Sequence, residues 1–321
     1  MEEKGTARQL PRRNSAYAKQ EYWEERFAAE KHYEWLESPE SLLPLLLPLL
    51  RPSMLVLTVG CGNSELSDAL VASGMPFVFN LDFSRTVLQA KRRHERECIR
   101  KYLSSPSPPS SSSPSPPSSS SSPSPSPRSP SSPRSPSSPR SPSSPRSPSS
   151  PRSPSSPRSP PLPPVMEYLC ADMTRLEFLR ANAFDVVIDK AAMDALMTEE
   201  GSVWEPRISV RQAADGYLAG VGRCLKPGGL FIQITFQQPH FRRRYLLNRF
   251  SLDLNEDAEC EDGRPAPGEW ISAKAKNFPL KNLPAKWQFS ESYGWAFFHT
   301  DIEKNTPGCF SNFFFLAEKT L

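Results

Sequence analysis

The feature that most constrains this chain is a short apolar run that ends in two closely spaced glycines. Residues 56–64 read VLTVGCGNS, and a second apolar run, FVFNLD, ends at Asp82. This order predicts a buried strand, a tight turn and a helix that opens near Ser64, with Asp82 at the end of the neighbouring strand. A carboxylate in that position can bind the two hydroxyls of a ribose. The pattern therefore predicts a pocket for a nucleoside cofactor, although two glycines alone would also fit a purely structural turn.

The residue that follows this turn narrows the type of cofactor. Dinucleotide-binding folds place a small residue three positions after the second glycine, where the backbone approaches a pyrophosphate, and this chain has Glu65 there. A carboxylate at the start of a helix repels phosphate. The pattern favours a ligand with a nucleoside and no phosphate, and S-adenosylmethionine is the common ligand of this kind.

Residues 104–164 differ in composition from the rest of the chain. They are almost entirely serine, proline and arginine, include five SPSSPR repeats, and contain one leucine, no aromatic residue and no acid. Such a segment cannot offset the entropy of ordering, about 1–2 kcal/mol per residue. We predict a disordered insertion at 104–164 between the two parts, 16–103 and 165–321, of one domain. Three interpretations of the insertion stay open: a surface loop that the fold tolerates, a segment phosphorylated at Ser-Pro sites, and a segment for an SR-type interaction.

The charge balance follows from this insertion. Six of the 39 basic residues and none of the 35 acidic residues lie within it, so the remainder is slightly acidic. The isoelectric point near 8.7 is thus no evidence for a nucleic-acid-binding face on the folded domain.

Cysteine spacing and the N-terminal sequence bear on the compartment. The six cysteines form no C-x-x-C pair and there are only four histidines, which predicts no metal site and no disulfide framework. The N-terminus resembles neither a secretory signal nor a mitochondrial presequence, and the apolar run at 42–50 is too short to span a membrane. We therefore expect a cytoplasmic monomer without a membrane partner.

Hydrophobic runs outline the fold. Five runs that alternate with helical patterns predict strands at Met54–Val59, Phe77–Leu81, Met166–Cys170, Phe184–Ile188 and Leu230–Phe236. Two aromatic-rich runs, Trp287–Ile302 and Phe310–Glu318, predict an antiparallel hairpin. A helix over 210–225 is predicted to stop at the KPGG sequence. The fold class is α/β, a doubly wound, seven-stranded and mostly parallel Rossmann-like sheet with an antiparallel C-terminal hairpin.

Several short motifs along the chain belong together. They are EYWEERF (21–27), YEW (33–35), VGCGNSELS (59–67), LDFS (81–84), ADMT (171–174), FDVVIDK (184–190), MDAL (193–196), KPGG (226–229), QPHFRRR (238–244) and YGW (293–295). With these motifs the chain resembles the class I, seven-stranded S-adenosylmethionine-dependent methyltransferases, and within that class the elongation factor 1-alpha lysine methyltransferases. The resemblance covers 16–319 apart from the insertion and an acidic stretch. It implies N-methylation of a protein lysine, with elongation factor 1-alpha as the expected substrate.

The resemblance also implies which residues contact the cofactor. These are Trp23, Phe27, Trp35, Gly60, Asp82, Phe83, Asp172, Met173 and Lys190, to which the glycine turn adds Gly62.

Residue chemistry indicates what these side chains could do. Asp172 can accept from the adenine amine, and Met173 and Phe83 can sandwich the base. Aromatic rings such as the tryptophans can cover a sulfonium, a contact of about 0.5–2 kcal/mol, or can simply pack in the core. Arg26 or Lys190 could pair with the methionine carboxylate.

One segment departs from the family pattern beside the expected amine site. The family's DKGTLDA is DKAAMDA here, with Ala191 and Ala192 in place of glycine and threonine. Asp189 is the candidate for orienting the amine, with a helix cap as the alternative, and Asp194 is expected on the helix surface or in a supporting position. Two other functions stay open: methylation of another protein lysine or a small amine, and a non-catalytic adaptor that binds through the Ser/Pro/Arg loop.

Overall fold

The computed structural model describes residues 10–104, 166–250, 287–302 and 311–320. Eight strands form one sheet in this part of the chain: β1 (Val56–Val59), β2 (Val78–Asp82), β3 (Glu167–Cys170), β4 (Phe184–Lys190), β5 (Leu225–Thr235), β6 (Gln288–Ser290), β7 (Trp295–Ile302) and β8 (Asn312–Lys319). Their order in the sheet is β3-β2-β1-β4-β5-β8-β7-β6. Neighbours among β1 to β5 pair in parallel, whereas β8 pairs antiparallel with both β5 and β7. The predicted doubly wound, mostly parallel sheet with an antiparallel C-terminal hairpin is confirmed.

Helices cover both faces of this sheet. They are α1 (Gln20–Ala29), α2 (Pro39–Leu46), α3 (Leu66–Ala72), α4 (Arg85–Ser104), α5 (Ala192–Met197), α6 (Ile208–Cys224) and α7 (Pro239–Leu247). Successive side chains of a strand point to opposite faces, and β1 shows the result. Val56 belongs to one buried cluster with Leu42 of α2, whereas Leu57 belongs to a second cluster with Tyr217 of α6. Because both faces are buried, the strands read as continuous apolar runs.

The structure corrects two details of the predicted elements. The run Trp287–Ile302 is divided into β6 and β7 by a turn in which Gly294 has a φ of 66° and its N–H bonds to the Ser290 carbonyl at 2.9 Å. This short β6 gives eight strands instead of seven. The helix stops before KPGG as predicted, since α6 ends at Cys224, but β5 begins at Leu225 and not at Leu230. The KPGG sequence therefore lies inside β5, where Leu225 pairs with Phe184 and the register of the pairing then shifts.

The remaining predictions concern the insertion, membrane spans and metal sites. The Ser/Pro/Arg insertion lies outside the described residues, apart from Ser104 at the end of α4, and its disorder stays a prediction. Within the described residues, no helix combines the length and the apolar character that a membrane span requires. The same residues hold no group of three His, Cys, Asp or Glu side chains suited to a metal ion.

Candidate functional site

A cavity of about 490 Å³ lies at the carboxyl ends of β1, β2 and β4. Open α/β sheets bind ligands at this edge, and small-molecule sites commonly measure about 300–1,000 Å³. The ten residues predicted to contact a cofactor all line this cavity: Trp23, Phe27, Trp35, Gly60, Gly62, Asp82, Phe83, Asp172, Met173 and Lys190. The structure therefore brings together side chains that are separated by up to 167 positions in the sequence.

The glycine turn forms the inner wall of the cavity. Gly60 and Gly62 have φ values of 57° and 50°, the left-handed region that glycine adopts without strain. A Cβ on Gly60 would lie 2.4 Å from the Cβ of Ala192, so no larger residue fits there without moving α5. The first glycine thus allows α5 to approach β1 closely.

Asp82 is held at the end of β2 with part of its carboxylate unused. Its Oδ2 accepts from the Gly62 N–H at 2.9 Å and its Oδ1 from the Ser84 N–H at 2.8 Å. Since each carboxylate oxygen has two acceptor positions, one on each oxygen is left for a ligand. Burial raises the pKa of Asp82 to about 6, opposed by the two backbone hydrogen bonds. This arrangement fits the two hydroxyls of a ribose.

Asp172 lies at the exposed rim of the cavity. Its Oδ1 accepts from both the backbone N–H and the hydroxyl of Thr174, each at 2.8 Å. Because both bonds use Oδ1, Oδ2 can accept from a ligand amine. Phe83 and Met173 line the same cavity and are partly buried.

Aromatic rings from the N-terminal segment close another side of the cavity. Trp23 stacks on Phe27 with ring centroids 5.3 Å apart and meets Trp35 edge-on at 5.9 Å. The tryptophans therefore pack together, as the packing alternative predicted, and also line the cavity, where a contact with the sulfonium stays a prediction. The indole Nε1 of Trp35 is buried and has no partner among the described residues, so it is a free donor at the site.

The two candidate partners for a ligand carboxylate differ in position. Arg26 forms a bidentate pair with Glu30, at 2.9 and 3.1 Å, and is not among the residues that line the cavity. Lys190 lines the cavity and donates to Glu34 at 2.6 Å, to the Trp35 carbonyl at 3.0 Å and to the Glu37 carbonyl at 3.4 Å. Burial lowers its pKa, an effect that Glu34 opposes. Lys190 is thus the better placed cation, and a ligand carboxylate would replace one of these acceptors.

Asp189 occupies a different position from the one predicted. Its carboxylate accepts from the backbone N–H groups of Ala192 and Met193, from the Tyr217 hydroxyl at 3.0 Å and from Gln233 Nε2 at 3.1 Å. The side chain is fully buried and does not line the cavity. The expectation that Asp189 faces the amine does not fit this geometry, because its oxygens are turned inward to cap α5. The helix cap, the predicted alternative, is what the structure shows.

Asp194 is the residue whose importance the sequence did not reveal. We expected it on the helix surface or in a supporting position; it is 6% exposed, so the surface position is wrong, and it lines the cavity. It accepts from the Thr235 hydroxyl at 2.5 Å, from the Phe236 N–H at 3.2 Å and from Arg242. Arg242 lies 48 positions further along the chain, so no local pattern indicates the pair.

The strand order and the cavity together indicate a class of protein. A doubly wound sheet with an antiparallel terminal strand pair, a glycine turn and a strand-end carboxylate is the arrangement expected of class I methyltransferases.

Comparison with known proteins agrees with this class. No protein-family model matches the chain. The chain is 27% identical over 250 residues to "EEF1A lysine methyltransferase 4" of Mus musculus. The aligned residues cover 77% of this chain and 72% of that protein. It is also 27% identical over 237 residues to "eEF1A lysine and N-terminal methyltransferase" of Bos taurus, of which it spans 24%. The resemblance to the elongation factor 1-alpha lysine methyltransferases is confirmed.

Solved structures add little to this comparison. A structure titled as a SAM-dependent methyltransferase from Methanosarcina mazei is 14% identical, covers 87% of this chain and 98% of its own, and has a TM-score of 0.39. Because this score is low, the fold assignment rests on the strand order itself. Together with the relatives' names, the fold and the site support a methyltransferase whose cofactor is S-adenosylmethionine.

Proposed function

We propose that this protein is an S-adenosylmethionine-dependent protein-lysine N-methyltransferase that acts on translation elongation factor 1-alpha. The observation that carries the proposal is a single cavity that is lined both by all ten predicted cofactor residues and by residues of the short helix α5. The target is inferred from the relatives, whose names state that they act on eEF1A. A cytoplasmic location and a monomeric state accompany this proposal.

The cofactor would supply an activated methyl group on a positively charged sulfur. The protein must then hold the reacting atoms in line, which is the main source of rate in such a displacement. Asp82 would hold the ribose, Lys190 and the Trp35 indole would hold the carboxylate, and the aromatic wall would cover the sulfonium. The amine nitrogen would take this methyl group, with the electron pair of the carbon–sulfur bond left on the sulfur, and would release a proton to water.

The mouth of the cavity supports a protein substrate. Phe236 lines the cavity and is 58% exposed, so an apolar ring is open to solvent beside the cavity. A lysine side chain on a protein surface could reach inward past this ring while its neighbours rest on the outside. A small amine would not need such a surface.

The change from the family's glycine and threonine to Ala191 and Ala192 keeps one alternative open. Ala191 adopts a φ of 66°, a conformation that costs a non-glycine residue energy, and both alanines line the cavity. This difference favours another protein lysine as the second candidate target.

The proposal is tested by labelling. The purified protein is incubated with labelled S-adenosylmethionine and a cell lysate, and labelled proteins are identified by mass spectrometry, with Asp82→Ala as the matched control. A label on a lysine of elongation factor 1-alpha, absent with the variant, is the expected result. A label on another protein instead would support the second candidate, and no label on any protein would favour the adaptor.

A further inference from the structure

We propose that Asp194, not Asp189, receives the target amine and orients it for methyl transfer. This inference rests on the proposed function and names the residue that touches the substrate in that same site. Three features of Asp194 carry it: its place in the cavity, its unused acceptor position and its pairing with a buried arginine.

The first feature is position. Asp194 lies on α5 and lines the cavity together with the predicted cofactor residues. Two residues before it, Ala192 packs against Gly60 of the glycine turn. The Phe236 N–H bonds to Asp194 Oδ2, and Phe236 lines the same cavity and is 58% exposed. An amine that entered beside Phe236 would therefore come close to the Asp194 carboxylate.

The second feature is hydrogen-bonding capacity. Among the residues that the structure describes, Thr235 and Arg242 donate to Asp194 Oδ1, and the Phe236 N–H alone donates to Oδ2. A carboxylate has about four acceptor positions, so one remains on Oδ2. A neutral amine that donates one N–H to this oxygen has its lone pair free to point at the methyl group. Asp189 lacks this capacity, because its oxygens are already occupied by donors from α5, Tyr217 and Gln233.

The third feature is charge. Methyl transfer needs a neutral amine, but a lone buried carboxylate would bind the protonated form and hold its proton. Arg242 is fully buried and forms an ion pair with Asp194, so the pair carries no net charge. The oxygen can thus accept from the amine with a smaller preference for the ammonium. Burial raises the pKa of Asp194, and Arg242 opposes this shift.

The test uses variants of Asp194 in the full chain. Asp194→Asn leaves Arg242 as an unpaired buried charge, which can unfold the protein. The double variant Asp194→Asn/Arg242→Gln removes both charges and keeps the test valid if the single variant unfolds. Asp185→Asn is the matched control, since Asp185 also pairs with a cation, Lys226 at 2.7 Å, but does not line the cavity.

Each variant is measured for cofactor affinity by calorimetry and for single-turnover transfer to elongation factor 1-alpha at saturating cofactor. We expect affinities within threefold of wild type and transfer at least 100-fold slower in both Asp194 variants, with the control near wild type. Because Thr235 and Arg242 donate to Oδ1, an asparagine keeps its oxygen on that side and turns its NH2 group toward the amine, where it would donate to the nitrogen lone pair.

The pH profile separates a role in contact with the amine from a structural one. A carboxylate near the amine favours the protonated form of the amine. Removal of the carboxylate should therefore move the pH range in which the transfer rate rises to lower values. Transfer rates within threefold of wild type, or slow transfer with an unmoved pH limb, would overturn the inference. If wild type itself methylates no lysine, the proposed function fails instead.

Discussion

At the scale of single residues, the site depends on how each carboxylate is buried and what it accepts. Asp82, Asp189 and Asp194 are all buried, yet only Asp82 and Asp194 line the cavity. The sequence predicts the first of them, because a strand-end acid after a glycine turn has few other uses. The sequence could not show which of the other two lines the cavity. Gln233 of β5, the partner of Asp189, and Arg242 of α7, the partner of Asp194, come close only when these elements pack.

Asp82 should make cofactor binding depend on pH. Burial raises the pKa of Asp82 to about 6 in the folded protein. The carboxyl group therefore favours folding most at pH values below its pKa in the unfolded chain, and this contribution to stability is lost as the pH rises through about 6. Cofactor binding has the opposite sign, because ribose hydroxyls donate to the ionised form. We predict that affinity falls as pH drops below about 6, and that Asp82→Ala weakens binding at neutral pH by about 1.5–3 kcal/mol. Calorimetry at several pH values measures both, and a flat profile in wild type would argue against Asp82 as the ribose ligand.

Asp189→Asn should lower stability more than it lowers rate. The Tyr217 hydroxyl and the Gln233 amide both donate to Asp189 Oδ2, and Met193 donates to both oxygens, so an amide group at either position faces donors. We expect a loss of about 1–3 kcal/mol in the free energy of unfolding, measured by chemical denaturation. Unchanged stability combined with a 100-fold slower transfer would return Asp189 to a role at the amine.

At the scale of elements, the N-terminal segment is fastened to the sheet domain by two glutamates. Glu24 on α1 accepts from the Arg85 N–H at 2.8 Å and the Thr86 N–H at 3.1 Å, at the start of α4. Glu34 accepts from the Glu65 N–H at 2.6 Å, just before α3. Each carboxylate satisfies N–H groups that a helix start leaves unpaired. The aromatic wall of the cavity is thereby held against the glycine turn.

Glu24→Ala should therefore loosen the wall and weaken cofactor binding. The loss of a helix-start acceptor costs about 0.5–2 kcal/mol, which corresponds to a severalfold lower affinity for S-adenosylmethionine. Hydrogen exchange over residues 20–38 should become faster in the variant. Glu25→Ala is the control, since Glu25 is exposed on the same helix. Equal exchange and affinity in the two variants would show that Glu24 does not fasten α1.

The elements also show where sequence patterns succeed. Strands β1, β2, β4 and the second part of β5 were predictable because they are buried on both faces and read as apolar runs, whereas the edge strand β3 is only partly buried. The three-residue β6 was missed because it shares one apolar run with β7, and a single glycine divides them. The KPGG sequence correctly marked the end of α6, but the start of β5 at Leu225 was missed, because the same proline and glycine signals can end a helix or form a bulge within a strand.

At the scale of the whole molecule, the predicted disordered insertion should be dispensable for catalysis. Deletion of 105–160 removes a segment with almost no apolar residues, and the length of a loop enters its closure entropy only logarithmically. We expect the shortened protein to keep the melting temperature and the transfer rate of the full chain. A deletion variant that fails to fold or turns over slowly on purified substrate would show that the segment packs on the domain.

The central claim is that this cavity transfers a methyl group from S-adenosylmethionine to a lysine of elongation factor 1-alpha. The most direct measurement is single-turnover reaction of the purified protein with purified elongation factor 1-alpha, followed by peptide mass spectrometry. We predict methylation of one defined lysine by wild type and its loss in Asp82→Ala. An unmodified factor after reaction with a folded wild-type protein that binds the cofactor would contradict the claim.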